Sequence, residues 1–411
     1  MQNSNKIFRL AGVVQHYAWG GYDFIPAFLH LSNKEGRPFA EYWMGAHDKA
    51  PAQVVINSEK ERLSDLIVND PTKVLGEDVY KKFGRLPYLL KILDVKDMLS
   101  IQVHPDKKSA EQAFAEENKK GVPLQAAQRN YKDANHKPEL MLALSDFWLL
   151  HGFKSKDKLL QVLKETPELG FLTAVFNREG YRGLYQRVME MPQSEVNDRL
   201  HPLLDRIRPL YTQNTLLKDD EDFWAARAAL TYNRGNDIDR GIFSIYFFNL
   251  VHCKPGEAVF QDAGVPHAYL EGQNVEIMAN SDNVLRGGLT PKHIDVAELM
   301  KHIKFEETVP KLLTGQTRNN VERVYKTPAP DFELSKFELE KGGTADFVTS
   351  TADILFLKDG LITISDGEKN LELKPGEAVI AFKGSDIEIS AHSPASLYRA
   401  TVPVYNDRGH E

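Results

Sequence analysis

Cysteine is nearly absent from this sequence, with Cys253 the only one in 411 residues. A single thiol cannot form an intrachain disulfide, and it cannot build a metal site from several thiolates. The chain also lacks any apolar run that approaches the ~18 residues of a membrane span. Its first ten residues, MQNSNKIFRL, contain no apolar signal core. We therefore expect a cytoplasmic protein that has no membrane partner.

Positive charge is not concentrated anywhere along the chain. The 51 Lys and Arg residues are interspersed among 58 Asp and Glu residues, and the formal net charge is −7. Nucleic-acid binding depends on a basic surface that neutralises phosphates, so this pattern argues against a nucleic-acid partner. A small anionic substrate needs only one or two local cations and remains compatible with it. A chain of this length is expected to form two or three domains.

One short segment occurs twice. KPGEAV stands at Lys254–Val259 and again at Lys374–Val379, and each copy is followed at equal spacing by a further glycine. Pro-Gly ahead of an apolar run predicts a turn followed by a strand. One such unit in each of two β-domains indicates duplicated jelly rolls of cupin type. In this register the first copy has His267 where the second has Ile387.

The apolar pattern divides the chain into β-rich and helical parts. Strand-like runs occupy residues 1–153 and 233–320, a 3.6-residue repeat occupies 154–232, and short alternating runs return in 321–411. We therefore predict a mainly β fold. It has a first jelly-roll domain at 1–153 and 233–320, an α-helical insertion at 154–232 and a second jelly-roll domain at 321–411.

Two local patterns give finer predictions. Ser109 followed by Gln112 predicts a capping box at the start of a helix. Turn residues at 358–360 and 366–367, each between apolar runs, predict two β-hairpins in the last domain.

Three segments contain residues of the types that ligate metals. In IQVHPDK, alternation places Gln102 and His104 on one strand face, together with Ser100. Glu139 opens an apolar run in NHKPELML, and His267 follows a turn in GVPHAYL. Zn²⁺ accepts imidazole nitrogen and carboxylate oxygen and needs three or four converging ligands. Taken one by one, each of these residues is also compatible with an ordinary structural role. The case is strongest for His267, because the second copy of the repeat has Ile387 at this position and folds without a histidine.

Five longer segments carry a more specific signal. They are QHYAWG, EYWMGAHDKAP, LSIQVHPDK, NHKPEL and AGVPHAYLEGQNVEIMANSDNVLRGGLTPKHIDV. Together they resemble type I mannose-6-phosphate isomerases over about residues 10–300, and the resemblance is weak beyond. It implies one zinc ion per chain, bound by Gln102, His104, Glu139 and His267, with Arg286 as the active-site arginine. The glutamine, and the 34 residues between His104 and Glu139, depart from the commoner cupin pattern.

The resemblance implies a metal-dependent aldose–ketose isomerase that interconverts mannose 6-phosphate and fructose 6-phosphate through an enediolate. Such a reaction needs a base near C1 and C2 and positive charge near the two oxygens. Lys137, His136 and Glu276 are candidate proton carriers, and Lys137 is favoured because it stands two residues before Glu139. Arg286 holds its proton too firmly to act as a base, so we expect it to stabilise charge.

Contacts with the rest of the substrate are less specific in the sequence. Ser100 and nearby Lys91 or Lys137 are candidates for the phosphate, and Asp282 is a candidate for sugar-ring opening. We expect a small phosphorylated sugar as the substrate and a monomeric enzyme. Two alternatives stay open, which are a different metal-dependent cupin enzyme such as an Fe(II) dioxygenase, and a non-catalytic sugar-binding cupin.

Overall fold

The computed structural model describes residues 6–403, which form antiparallel sheets and a separate group of helices. Within this range no helix combines the length and the apolar character needed to cross a bilayer. The strands that precede residue 300 are β1 (Ile7–Ala11), β2 (Val13–Gln15), β3 (Glu41–Gly45), β4 (Gln53–Ile56), β5 (Glu59–Arg62), β6 (Tyr88–Val95), β7 (Gln102–Val103), β8 (Glu139–Ala143), β9 (Phe147–Phe153), β10 (Phe248–Cys253), β11 (Ala258–Gln261), β12 (His267–Ala279) and β13 (Leu285–Arg286).

The later part of the described chain is almost entirely strand. Its strands are β14 (Gln316–Thr317), β15 (Glu322–Tyr325), β16 (Glu333–Leu339), β17 (Thr344–Val348), β18 (Asp353–Asp359), β19 (Ile362–Ser365), β20 (Asn370–Leu373), β21 (Ala378–Ala381), β22 (Asp386–Ala391) and β23 (Ala395–Thr401).

Most of the helical residues lie between β9 and β10. The α-helices are α1 (Phe24–Phe28), α2 (Leu63–Asn69), α3 (Pro71–Leu75), α4 (Glu77–Phe83), α5 (Lys107–Lys119), α6 (Lys156–Glu165), α7 (Thr173–Met189), α8 (Gln193–Thr212), α9 (Glu221–Tyr232), α10 (Gly241–Phe247) and α11 (Val296–His302). A 3₁₀ helix at Pro167–Leu172 connects α6 and α7.

Strand β12 organises the first barrel, because it pairs with four other strands. Its first half lies against β9 and β7, and its second half lies between β6 and β8. Every residue of β6, β8 and β9 is buried, since one face of each strand lines the barrel and the other is covered by a further layer. Strands covered on both faces read as nearly continuous apolar runs, which is the pattern found in their sequences.

The second barrel packs two sheets around an apolar core. One sheet has the order β17-β22-β19-β20, and the opposite sheet runs β14-β15-β16-β23-β18-β21-β1-β4-β5. The core between them contains Leu355, Ile364, Val379, Ile387 and Ile389. This mainly β architecture with two cupin-type jelly rolls agrees with the predicted fold class.

The first strand of the chain belongs to the sheet of the second barrel. Strand β1 runs antiparallel to β21, with Ile7 opposite Ala381, and β4 lies on its other side. Phe8 and Leu10, also on β1, enter a large core that contains residues of both barrels, such as Ile354 and Val275. The domain boundaries at 153, 233 and 320 stay a prediction, and this sheet crosses them.

The helices α6–α9 pack on one another and on the outside of the first barrel. Their shared core includes Leu163, Leu184, Leu203 and Trp224. The Trp224 ring lies 5.9 Å from the ring of Trp148 on β9, so the helical core is continuous with the outer face of the barrel.

Two local predictions are wrong. Helix α5 begins at Lys107, and Asp106 caps it by accepting a hydrogen bond from the backbone amide of Ser109, so the capping box predicted at Ser109 and Gln112 does not form. Residues 358–360 do not form a hairpin, because β18 pairs with β21 and β23 while β19 pairs in the opposite sheet. The hairpin at 366–367 is confirmed by the pairing of β19 with β20.

Candidate metal centre and active site

Three side chains from separate parts of the first barrel converge on one point. The ligand-type atoms of His104, Glu139 and His267 all lie within 4.8 Å of one another, and all three residues are buried. Oε2 of Glu139 is 3.5 Å from Nε2 of His104 and 3.3 Å from Nε2 of His267. Donors bound to a tetrahedral Zn²⁺ at about 2.1 Å stand about 3.4 Å apart, so the spacing fits a single zinc ion.

The two imidazoles are held in the form that binds metals. His104 Nδ1 donates to the carbonyl of Asn283 at 2.9 Å, and His267 Nδ1 donates to the carbonyl of Val265 at 3.0 Å. The proton therefore resides on Nδ1, and Nε2 keeps its lone pair. Both Nε2 atoms are buried and make no hydrogen bond within residues 6–403. Burial lowers the pKa of His104 to about 4, which keeps the ring neutral.

The carboxylate completes a donor set suited to zinc. Burial would raise the pKa of Glu139, but Lys137 and His104 outweigh it and lower this pKa well below its usual range. An ionised carboxylate and two neutral imidazoles neutralise only one of the two charges of Zn²⁺. The centre therefore suits a divalent ion that must remain electrophilic.

Gln102 lies beside this centre, and strand pairing places Arg286 next to Gln102. Strand β7 runs between β12 and β13, with Gln102 opposite His267 on one side and opposite Arg286 on the other. Residues opposite each other in adjacent strands point to the same face, with Cβ atoms about 5 Å apart. Gln102 also lines the cavity that contains Glu139 and His267. It is thus placed to supply a fourth ligand, with Arg286 one strand further.

A buried ion triad occupies the same cavity. Lys91 Nζ lies 3.0 Å from Glu276 Oε1 and 3.5 Å from Glu41 Oε2. Tyr269 donates to Glu276 Oε2 at 2.7 Å, and the indole N–H of Trp43 donates to Glu41. Burial alone would lower the pKa of Lys91, but the two carboxylates raise it above its usual value, so the ammonium is retained. Burial also raises the pKa of Glu276.

Sequence reasoning missed most of this triad. It considered Glu276 as a proton carrier and Lys91 only as a phosphate contact, and it left Glu41, Trp43 and Tyr269 unassigned. A signal was available, because Lys91 is a charged residue inside PYLLKILDV, a run otherwise typical of a fully buried strand. A lysine in such a position is almost never fully buried without a partner of opposite charge.

The two adjacent proton-carrier candidates face different surroundings. Lys137 lines the cavity, and its Nζ is 3.3 Å from Glu139 Oε1. His136 points away and pairs through Nε2 with the buried carboxylate of Asp331 at 2.8 Å. The structure thus brings Lys137 and Glu276 to the cavity with the metal ligands, and it directs His136 toward the later part of the chain.

The charge of Arg286 acts on two lysines, Lys132 and Lys292. Its guanidinium makes no hydrogen bond or ion pair within the described residues, and burial lowers its pKa. Partial burial and the charges of Arg286 and Lys49 lower the pKa of Lys292. Partial burial, Lys49 and Arg286 also lower the pKa of Lys132. Arg286, Lys49, Lys132 and Lys292 therefore form a group of cations, with Asp282 on Lys49 and Glu117 near Lys132, whose positive charge suits a phosphate dianion.

The remaining two candidates lie at the margin of the site. Ser100 is half-buried between Leu99 and Ile101, and it is Leu99 rather than Ser100 that lines the cavity. Asp282 binds Lys49 Nζ at 2.7 Å and lies 3.4 Å from His47 Nε2. Burial would raise the pKa of Asp282, but these two partners lower it well below its usual range, so this carboxylate stays ionised.

Comparison with known proteins places this geometry in a family. Residues 7–156 match the family described as phosphomannose isomerase type I, catalytic domain. The chain is 38% identical to the mannose-6-phosphate isomerase of Salmonella typhimurium over 92% of its length and 95% of that protein. It is 37% identical to the Escherichia coli K12 enzyme, over 93% and 97% of the two chains, and 33% identical to the Mus musculus enzyme, over 97% of each.

Solved structures agree with these sequence relatives. The crystal structure of Salmonella typhimurium mannose 6-phosphate isomerase bound to fructose 6-phosphate and zinc matches with a TM-score of 0.87 and 35% identity, covering 97% of this chain and all of that one. A zinc-bound holo structure of mannose 6-phosphate isomerase matches with a TM-score of 0.85 and 34% identity, with the same coverage.

Proposed function

The chain belongs to the type I mannose-6-phosphate isomerase family, and from that premise we propose how its own residues perform the reaction. The protein is a zinc-dependent aldose–ketose isomerase that interconverts mannose 6-phosphate and fructose 6-phosphate. One observation carries the residue assignment, which is the buried set of His104, Glu139 and His267. Within residues 6–403 neither histidine Nε2 makes a hydrogen bond, and both lie near the same Glu139 oxygen. Neither the dioxygenase nor the non-catalytic alternative is favoured.

We assign the zinc ligands as Gln102, His104, Glu139 and His267. Three neutral donors and one carboxylate would leave a bound divalent ion with a formal charge of +1, and that ion would supply positive charge to polarise the carbonyl and stabilise the two sugar oxygens. The carbonyls of Asn283 and Val265 orient the two imidazoles through Nδ1, as described above.

Lys137 is the proton carrier in this proposal. Its side-chain nitrogen lies in the cavity, and within residues 6–403 the Glu139 carboxylate is the only one that forms an ion pair with it. Both oxygens of Glu276 are already engaged, one by Lys91 and the other by Tyr269. The triad around Lys91 therefore acts as a fixed set of charges that orients sugar hydroxyls. Lys137, in its neutral amine form, takes the proton from C2 and as the resulting ammonium returns it to C1.

Arg286 and the neighbouring lysines bind the substrate's negative charge. The guanidinium stands one strand from Gln102, where it can stabilise the developing enediolate oxygen. We place the phosphate against Lys292 and Lys49, which are exposed, and against Lys132, which is half-buried. The charge of Arg286 acts on Lys132 and Lys292, and the Lys132 ammonium also donates to the carbonyl of Leu124 at 2.8 Å. Ser100 remains a candidate contact at the same edge.

We also propose that the enzyme acts as a monomer in the cytoplasm. All the side chains assigned above come from one chain, and a phosphorylated sugar is too polar to cross a bilayer unaided. Size-exclusion chromatography with light scattering tests the first part of this proposal, and a dimer at assay concentrations would contradict it.

A metal-replete isomerase assay, run before and after chelation, tests the assignment. We expect chelation to abolish turnover and zinc to restore it. Lys137→Met should keep one equivalent of zinc and lose about 10²- to 10⁴-fold in turnover, the range of general acid–base catalysis. It should also lose exchange of the substrate's C2 hydrogen with solvent deuterium. If Lys137→Met retains exchange while Glu276→Gln loses it, the role belongs to Glu276.

A further inference from the structure

The loop that follows Arg286 has a backbone that needs external support. Gly287 and Gly288 come directly after the arginine, and Gly288 has φ of +128°. Leu289 has φ of +51°, a region that is strained for a residue with a branched side chain. Such a conformation persists only where the surroundings hold it. The placement of the Arg286 guanidinium therefore depends on what holds residues 287–290.

The backbone of Ile101 holds the start of this loop, with the Gly287 amide donating to the Ile101 carbonyl at 2.9 Å and the Ile101 amide donating to the Gly288 carbonyl at 3.0 Å. A carboxylate outside the barrel holds the part of the loop beyond Gly288. Asp239 lies between α9 and α10, directly after the helical segment. Its Oδ1 accepts from the backbone amides of Leu289 at 2.8 Å and Gly241 at 2.7 Å, and its Oδ2 accepts from the amide of Thr290 at 3.1 Å. A carboxylate is a stronger acceptor than a neutral oxygen, and these three amides have no other acceptor at comparable distance recorded within the described residues.

The same segment also packs tightly against the loop. A Cβ atom on Gly241 would stand 2.5 Å from the Leu289 nitrogen, and one on Gly288 would stand 2.4 Å from the Gly241 Cα. The hydroxyl of Tyr185, on α7, lies 3.5 Å from the carbonyl of Gly287, to which it donates. Two parts of the helical region thus approach the backbone immediately after Arg286.

We propose that Asp239 is a positioning residue for Arg286, and that through it the helical region takes part in catalysis. This inference rests on the role proposed above for Arg286. Asp239 itself touches neither the cavity nor the metal ligands, so its contribution acts through the guanidinium alone. The carboxylate fixes the strained turn at Leu289, and the turn fixes the end of β13 from which the Arg286 side chain extends.

A double-mutant cycle on the zinc-loaded, full-length enzyme tests the proposal. In Asp239→Asn one oxygen becomes an NH₂ group that faces a backbone N–H, so the turn loses either the bond to Thr290 or those to Leu289 and Gly241, together with the carboxylate charge. We expect kcat to fall about 10- to 100-fold, as for a misplacement of about 1 Å in a catalytic group, with one equivalent of zinc retained. In an Arg286→Ala background the same change should lower kcat by less than about threefold. The effects of two residues that act as one unit are not additive, so Asp239 has little left to contribute once the arginine is gone.

Two further arms keep the result interpretable. Asp237→Asn alters a carboxylate of the same connection that binds no part of the Arg286 loop, and it should leave kcat unchanged. Guanidinium ion should partly restore turnover to Arg286→Ala, and it should do so equally in the Asp239→Asn/Arg286→Ala double variant, since a free cation does not need the turn.

Specific outcomes overturn the proposal. If Asp239→Asn lowers kcat by the same factor with and without Arg286, Asp239 has only a structural role, and the proposal is wrong. If Asp239→Asn does not fold, Asp239→Ser, which keeps one short acceptor, replaces it. An unchanged kcat in that variant, or an equal loss of kcat with and without Arg286, overturns the proposal. If Arg286→Ala itself retains turnover, the role proposed for the arginine has failed, which the single variant reveals separately.

Discussion

In both copies of KPGEAV the lysine amide donates to the glutamate side chain three residues later, at 2.8 Å in Lys254–Glu257 and 2.8 Å in Lys374–Glu377. The glycines of the two turns have φ of +90° and +86°, at Gly256 and Gly376. The strand that follows each turn is buried in its barrel. The two units are therefore the same turn and the same strand, reproduced to the level of individual hydrogen bonds.

The interiors reached by the two strands differ completely. The first barrel contains Lys91, Glu41, Glu276 and the metal ligands, and the position of His267 is filled in the second barrel by Ile387 within an apolar core. The KPGEAV turn and the packing of the strand that follows it are the features that the two barrels share. We therefore infer that these features, rather than the interior residues, are sufficient for a barrel of this type to form. The interior is free to vary, and a polar interior is tolerated where its charges are paired.

The largest effect expected from this comparison is at the matched pair His267 and Ile387. His267→Ala removes a ligand, so we expect loss of bound zinc and a fall of at least about 10³-fold in turnover. Ile387→Ala should leave zinc and turnover per folded molecule unchanged but lower the free energy of unfolding by about 2–5 kcal/mol. Metal analysis, kinetics and denaturant titration measure the three quantities.

The comparison would break if the two variants behaved alike. Zinc loss in Ile387→Ala, with the fold intact by circular dichroism, would mean that the second barrel helps to bind the metal.

A second pair contrasts buried charges in the two barrels. Lys91 is paired with Glu276 in the first barrel, and Arg399 is paired with Asp353 at 2.7 Å in the second. Lys91→Met and Arg399→Met each leave a buried carboxylate without its partner, so each should lower the free energy of unfolding by about 3–5 kcal/mol. Only Lys91→Met should also lower kcat, by about 10²-fold or more.

Kinetics of the purified, folded fraction of each variant separate these effects. A loss of kcat in Arg399→Met equal to that in Lys91→Met would contradict the assignment of all chemistry to the first barrel.

The first barrel also carries the helical insertion, and Glu271 on β12 attaches it by binding Lys218 and Arg227. Burial would raise the pKa of Glu271, but these two cations lower it. A lowered pKa in the folded state adds stability above the unfolded pKa of about 4.3, and this stability is lost as pH falls through the folded value. Glu271→Gln should therefore cost about 1 kcal/mol at pH 7 after solvent screening.

Urea titrations of both zinc-free proteins at several pH values measure this cost. The difference between wild type and Glu271→Gln should shrink below about pH 4.3 as the wild-type carboxyl becomes protonated. A difference that stays constant to pH 3 would show that the carboxylate charge is not its source.

The smallest expected effect concerns Gln261, whose register position in the second copy is Ala381. Gln261 is fully buried, and neither atom of its amide has a partner within residues 6–403. Gln261→Met removes this unpaired group at similar volume, so the free energy of unfolding should rise by about 1 kcal/mol. Zinc content and kcat should not change. Weaker zinc binding would instead show that the amide supports Glu139, its neighbour across the strands.

The parts of the fold that could be predicted are those with a regular period. The helical repeat in 154–232 and the alternation around β16 are present in the structure as helices and a strand. The strand role of β1 beside β21 could not be predicted, because pairing between distant segments leaves no periodic trace in either of them. The hairpin prediction at residues 358–360 failed for a related reason. Turn residues are the same whether a turn joins two paired strands or connects strands of two different sheets, as it does between β18 and β19.

The site was predictable where a contiguous motif carries it and hidden where long-range packing builds it. Gln102, His104 and His267 stand in short motifs that resemble the family, so they could be singled out. Glu41 also lies in such a motif, EYWMGAHDKAP, but nothing within that segment indicates its ion pair with Lys91, which comes from another strand. Asp239 follows a polar stretch that reads as a loop, and its role depends on amides 50 positions later.

The pairing of β1 with β21 has a consequence for biosynthesis. Lys6 binds Gly384 across 378 positions of the chain, and β1 is flanked by β21 on one side and β4 on the other. A nascent polypeptide cannot close this sheet until residues near 384 have left the ribosome. Closing so large a loop makes assembly slow relative to local structure. Until then the apolar side of the first strand stays uncovered, and it is the segment that a chaperone would have to shield during translation.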